Sequence, residues 1–224
     1  MNKTSKGDIT AELMLLKTLE GAAFGAKLKE IAARKEFHAL LDNPFIYTVG
    51  GEQDDDYPSL LMAARKAVEH GYRVFILPNP HGVKTSDYIL ERRGVYKLFD
   101  LKNISGKNIV LTRLNESANQ ANRALLNMPA KYNTRMLAAD IKNYFETNGK
   151  ALEVLIFRRK HELSVFRRFA LSARFYAEFK KLYEKQKATQ GDFLKWSRVD
   201  EGLLLSAFSA PKASHVYRIV RIPF

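Results

Sequence analysis

Residues 86–112 read SDYILERRGVYKLFDLKNISGKNIVLT, and the rest of the chain is arranged around them. Asp87 opens a short apolar run, Tyr88-Ile89-Leu90. A charged turn follows, Glu91-Arg92-Arg93-Gly94, then a second run from Val95 to Leu101. Two such runs broken by a Gly-containing turn predict a β-hairpin. Residues i and i+2 of a strand share a face. Asp100 and Lys102 are therefore expected side by side, with Phe99 and Leu101 turned to the core. The hairpin would bring Asp87, at the start of the partner strand, close to Asp100.

Two carboxylates and an ammonium on one face suit a divalent cation and a phosphate. Hard cations such as Mg²⁺ take oxygen ligands, usually one or two carboxylates plus waters and substrate phosphates. A lysine beside them can orient a water or offset charge that builds on the phosphorus centre. The same acid–lysine spacing also occurs as a plain surface ion pair of little energetic value.

Asp, a hairpin turn and then Asp-x-Lys resembles the PD-(D/E)XK nuclease superfamily. Asp87 matches its first acid and Asp100-Leu101-Lys102 its second element, with Ser86 where that family often has proline. The flanks resemble the tRNA-nuclease C-terminal domains of contact-dependent growth-inhibition toxins and related mobile-element domains. Ala67 to Gly71 lead into Tyr72-Arg73-Val74-Phe75-Ile76-Leu77-Pro78, and Glu116-Ser117-Ala118-Asn119-Gln120-Ala121 follows the hairpin. The similarity covers roughly residues 58–157. It implies a restriction-endonuclease-like core, a Mg²⁺ or Mn²⁺ ion on Asp87 and Asp100, and Lys102 and Gln120 as further catalytic residues. It also implies a nucleic-acid substrate, RNA or tRNA ahead of DNA. One departure stands out. The superfamily often adds an acid from the first core helix, and Ser59-Leu60-Leu61-Met62 offers none. Asp54, Asp55, Asp56 or Glu69 could supply that ligand, or it is absent.

Composition sets the outer bounds. At 224 residues the chain can bury a full core, and 46% hydrophobic with 27% charged residues is ordinary for a globular protein. The net charge of +13 and pI near 9.8 favour a polyanionic partner, nucleic acid first and an anionic membrane surface second. No cysteine is present, which excludes disulfides, thiolate metal sites and a cysteine nucleophile. The N-terminal stretch is too polar and acidic for a secretory signal, and no run nears the ~18 apolar residues of a membrane span. The expectation is a cytoplasmic protein without membrane insertion, or a piece of a longer chain. Walker, GxGxxG, GxSxG and HExxH motifs are missing.

Along the chain, residues 8–36 predict a helix, weakened at Gly21 and Gly25, that packs on the domain or holds a protein partner. Residues 42–58 look linker-like around a short strand, Phe45 to Val49, and the acids at 54–56 suit a helix start as well as a cation. Residues 58–70 predict a helix stopped by Gly71, and 72–77 a strand. His81, in the following loop, is a candidate base or metal ligand, or simply a surface residue. Residues 108–112 predict a strand and 115–128 a helix; packed behind the hairpin, it would bring Gln120 to the site and Arg123 to a nucleic-acid phosphate, and otherwise these residues form an ordinary amphipathic face. Residues 133–148 predict a helix capped by Asn133, and 151–157 a strand. Residues 158–188 predict a long basic helix carrying Arg158, Arg159, Arg167 and Arg168 as phosphate contacts, with interleaved aromatics that serve as core or stacking platforms. A hairpin over 193–209 and a strand over 215–222 would close the chain.

The expected class is α/β, a mixed sheet flanked by helices. It comprises an N-terminal helix and linker (1–57), a nuclease-like core (58–157), and a basic helix with a small β appendage (158–224). The expected function is a metal-dependent nuclease. The alternative is a non-catalytic nucleic-acid-binding or structural protein of a mobile element that keeps the fold.

Overall fold

The computed structural model describes residues 4–49, 56–78 and 85–184. Eight strands form one mixed sheet whose spatial order follows the chain. They are β1 Phe37–Ala39, β2 Ile46–Val49, β3 Arg73–Ile76, β4 Tyr88–Arg92, β5 Val95–Asn103, β6 Arg123–Met128, β7 Glu153–Arg158 and β8 His161–Phe166. The pairs β2–β3, β5–β6 and β6–β7 are parallel, and the other pairs antiparallel. Parallel neighbours need a crossover, and helices supply it. These are α3 Tyr57–Glu69 between β2 and β3, α4 Val110–Ser117 between β5 and β6, and α5 Thr134–Thr147 between β6 and β7. The class is α/β, as the alternation of elements predicts.

Strand periodicity sorts the core into three clusters. On one face, Val74, Ile76, Leu90, Phe99, Leu101, Leu155 and Phe157 pack against Ala63, Ala64 and Ala67 of α3. The other face carries two separate layers. Phe75, Leu77, Ile89 and Leu98 meet the N-terminal helices α1 Thr4–Leu15 and α2 Gly21–Ala32. Leu126, Met128, Val154 and Ile156 meet α4, α5 and α7 Phe175–Glu184. Asp100 shares a face with Leu98 along β5 and pairs with Ala124 across to β6, so it sits on the seam between these two layers.

Several expectations for single elements hold. Pro58 lies in the first turn of α3, and Gly71 takes φ +80° just past its end, the left-handed position that favours glycine. Asn133 accepts the Met136 N–H at 3.1 Å and caps α5.

Others are corrected. The N-terminal helix is two helices joined by a 3₁₀ turn at Leu16–Thr18, and its apolar side is spent on the sheet. Residues 108–112 are not a strand, because Val110, Leu114 and Ser117 are buried at helical spacing and start α4. The helix predicted to run to Met128 ends at Ser117, and the apolar run Ala124-Leu125-Leu126 is a buried parallel strand. The long basic helix from 158 does not form. Leu163 and Val165 alternate inward as β8, the short helix α6 Arg167–Ala170 follows, and only then does α7 begin. Arg159 carries the β7–β8 turn at φ +54°. The predicted β elements beyond 188 lie outside the described residues, as do His81, Asp54 and Asp55.

Beyond the reach of α3, the same sheet face holds charge. Glu153, 2% exposed, accepts from Lys97 Nζ at 3.0 Å, Ser164 Oγ at 2.9 Å and Arg123 Nε at 3.3 Å. Burial alone would raise its pKa; the two cations and the bonds from Lys97 and Ser164 hold it below the usual carboxylate range. Glu153→Ala should lower unfolding stability by about 3 kcal/mol, because two half-buried cations lose their anion. Urea melts of the variant check this, and an unchanged midpoint would show the cluster to be well solvated.

Candidate functional site

The ladder pair Tyr88↔Phe99 fixes the site. One step further along each strand, Asp87 and Asp100 stand opposite one another. Backbone bonds hold this end in place: Asp87 N–H donates to Phe99 O at 3.1 Å, and Leu77 N–H to Asp87 O at 2.9 Å. Asp87 Oδ2 accepts the Leu101 N–H at 2.6 Å, so its side chain satisfies a donor that the strand end leaves over. Asp100 is 1% exposed. Its Oδ2 lies 2.8 Å from Lys102 Nζ, the neighbour that i, i+2 spacing predicts.

Gln120 also arrives at the site. It lies in the turn after α4 rather than on a helix. Its amide nitrogen, in the orientation that satisfies its surroundings, donates to Thr85 O at 2.8 Å and Asp100 Oδ1 at 3.2 Å. Ser86 Oγ donates to Gln120 O at 2.8 Å and ties the two segments together. Asp100 is thus engaged on both oxygens, by Lys102 and by Gln120.

Two like charges directly across a ladder repel. The Asp87 pKa is pushed up to about 7, first by burial and then by the Asp100 charge; the Leu101 N–H and Lys102 pull the other way. Tyr144 of α5 also belongs here. Burial and then the Asp100 charge push its phenol up to about 12. Sequence reasoning missed it, since a mid-helix tyrosine carries no local mark of the strand it will meet.

The basic residues divide. Arg123 faces away from Asp100, on the Glu153 side of the sheet, and does not point toward the site. Arg158 is bound to the fold, donating to Ala130 O at 3.2 Å and Tyr183 O at 2.8 Å. Arg167 donates to Asn148 O at 2.8 Å. Arg159 and Arg168 are exposed. Among the described residues, no group of three His, Cys, Asp or Glu side chains is arranged for a metal ion, and no helix is long and apolar enough to cross a membrane.

A carboxyl raised in the fold contributes stability that is full below its unfolded value near 3.8 and is lost as pH rises through about 7. In EDTA, the melting temperature should therefore drop between pH 5 and pH 8 by more than it does in Asp87→Asn, which keeps the acceptor for Leu101. Parallel slopes for the two proteins would rule out a raised Asp87.

No family model matches the chain, and no curated protein matches it. Among solved structures, the chain is similar to one component of the CdiA-CT/CdiI toxin and immunity complex from Burkholderia pseudomallei. The identity is 21% and the TM-score 0.37, over 53% of this chain and 92% of that one. The distances around Asp100 describe the site on their own terms.

Proposed function

We propose that the chain is a metal-dependent phosphodiesterase acting on nucleic acid, with RNA or tRNA ahead of DNA. The observation that carries this reading is convergence. Asp87 just before β4, Asp100 and Lys102 on β5, and Gln120 in the turn after α4 meet on one face at the seam between two helical layers. The PD-(D/E)XK resemblance of the hairpin supports the substrate class.

The donor set suits Mg²⁺ or Mn²⁺: two carboxylates that repel each other gain from a divalent partner. Asp87 and Asp100 would hold the ion, which when bound lowers the pKa of a water and polarises the phosphodiester. Gln120 would fix the rotation of the Asp100 carboxylate. Lys102 would leave its bridge to Asp100, position the attacking water, and offset negative charge as it grows on the phosphate oxygens.

A second reading has its own observation. Asp100 pairs with Lys102 and Gln120, and Asp87 bonds a backbone N–H. Such a network could serve only to hold the hairpin in a non-catalytic nucleic-acid-binding or structural protein.

Incubation of the purified chain with tRNA, single-stranded DNA and duplex DNA, with Mg²⁺ or Mn²⁺, separates the two readings. Asp87→Ala, Asp100→Ala and Lys102→Ala should each reduce cleavage by ~100-fold or more while leaving binding in EDTA within a few-fold. Mg²⁺ should also raise the wild-type melting temperature at pH 8 and leave that of Asp87→Ala unmoved. Wild-type protein that cuts none of these substrates with either ion would leave the second reading.

A further inference from the structure

A groove of about 730 Å³ runs between the outer side of α3 and the β7–β8 turn, a size in the range of small-ligand sites. Its floor is apolar. Pro58, Leu61 and Met62 line it, and Met62 is 61% exposed although it sits between helical turns whose alanines are fully buried. Its rim is basic: Arg65, Lys66, Arg159 and Lys160 stand against the single acid Glu69. Arg65 is neutralised by Asp42. Arg159 and Lys160 are exposed and form no ion pair among the described residues. Lys66 spends one donor on Asn127 Oδ1 at 2.9 Å and keeps the rest.

The near end of the groove is tied to the strand that carries the site. Lys66 bonds Asn127, Asn127 Nδ2 donates to Asn103 Oδ1 at 2.8 Å, and Asn103 Nδ2 donates to Ser59 Oγ at 2.7 Å. Asn103 follows Lys102 in β5 and so lies on the opposite face, the one that Leu101 shares with the α3 cluster. This row of polar side chains crosses the carboxyl ends of β5 and β6 and stops at the first turn of α3, beside Pro58.

We propose that this groove binds a short stretch of single-stranded nucleic acid on the α3 face of the sheet, opposite the face that carries Asp100 and Lys102; the choice of ligand rests on the substrate class of the phosphodiesterase reading above. Arg159, Lys160 and Lys66 take successive backbone phosphates. Met62 and Leu61 meet an unstacked base or its ribose. A duplex keeps its base faces stacked inside and offers the floor nothing, whereas an unpaired strand presents both surfaces at once.

Fluorescence anisotropy of a labelled 12-nucleotide single-stranded RNA, titrated with full-length protein in EDTA, tests this without any cleavage. The double variant Arg159→Glu/Lys160→Glu should weaken binding at least tenfold. It should also flatten the log Kd against log salt slope by about 1.4, two phosphate contacts at roughly 0.7 each. Met62→Asp should weaken binding several-fold for the single strand and leave duplex RNA of the same sequence unchanged. Arg135→Glu/Lys150→Glu removes the same charge from exposed positions elsewhere, and should change binding less than twofold. Equal losses for the two double variants would overturn the groove assignment and leave only a general charge effect. Displacement of the RNA by poly-glutamate at equal charge concentration would overturn it too, in favour of an acidic protein partner. Loss of cleavage in wild type with the groove result intact would fell the phosphodiesterase reading and not the groove.

Discussion

The register of the β4–β5 hairpin is the constraint on which the rest depends. Side chains alternate along a strand, so a slip of one residue would exchange Phe99 and Leu101 with Asp100 and Lys102 between faces. The slipped arrangement would drive two charges into the α3 cluster and two large apolar groups into the seam. Tyr88, Ile89, Leu90 and Phe99 are buried to 1% exposure or less, and together they close off that alternative. The same packing holds Asp87 against Asp100 despite their repulsion. The core therefore sustains a local cost, visible as a carboxyl displaced to about 7, of the kind that catalytic and binding sites share.

Charge in this chain serves two purposes. Net charge alone, +13, suggests a surface made for polyanions. Much of it is committed inward. Arg123 and Lys97 balance Glu153, Arg92 bonds Glu162 and lies 4.2 Å over the Tyr72 ring, and Arg158 ties α7 to β7. Among the described residues, Arg159 and Lys160 stay exposed at the β7–β8 turn. A planar guanidinium with several donors suits both uses, which is why a count of arginines says little about where phosphates would bind.

Two stretches show how tertiary context overrides local preference. Asn108 to Thr112 is rich in β-branched and aliphatic residues, yet it starts a helix. The decisive signal was the burial of Val110, Leu114 and Ser117 at helical intervals, which appears only when the window extends past 112. The stretch from Arg158 to Phe166 carries basic and apolar residues in a mix that favours a helix. It folds instead as a turn and an edge strand, because β7 needed a partner and Arg159 accepted a left-handed backbone without a glycine to announce it.

Sequence alone settled the hairpin, the side-by-side placement of Asp100 and Lys102, the α/β class, and helices expected at 58–70 and 133–148 that form at 57–69 and 134–147. Each of these depends on spacing within a dozen residues, where strand and helix periods act directly. It could not reveal that Gln120 reaches Asp100 from a turn, that Tyr144 feels the same charge, or that Arg123 turns to the opposite face. Those outcomes follow from which elements become neighbours in the sheet. That choice was made by burying three apolar clusters at once, a global balance that no single stretch of the chain encodes.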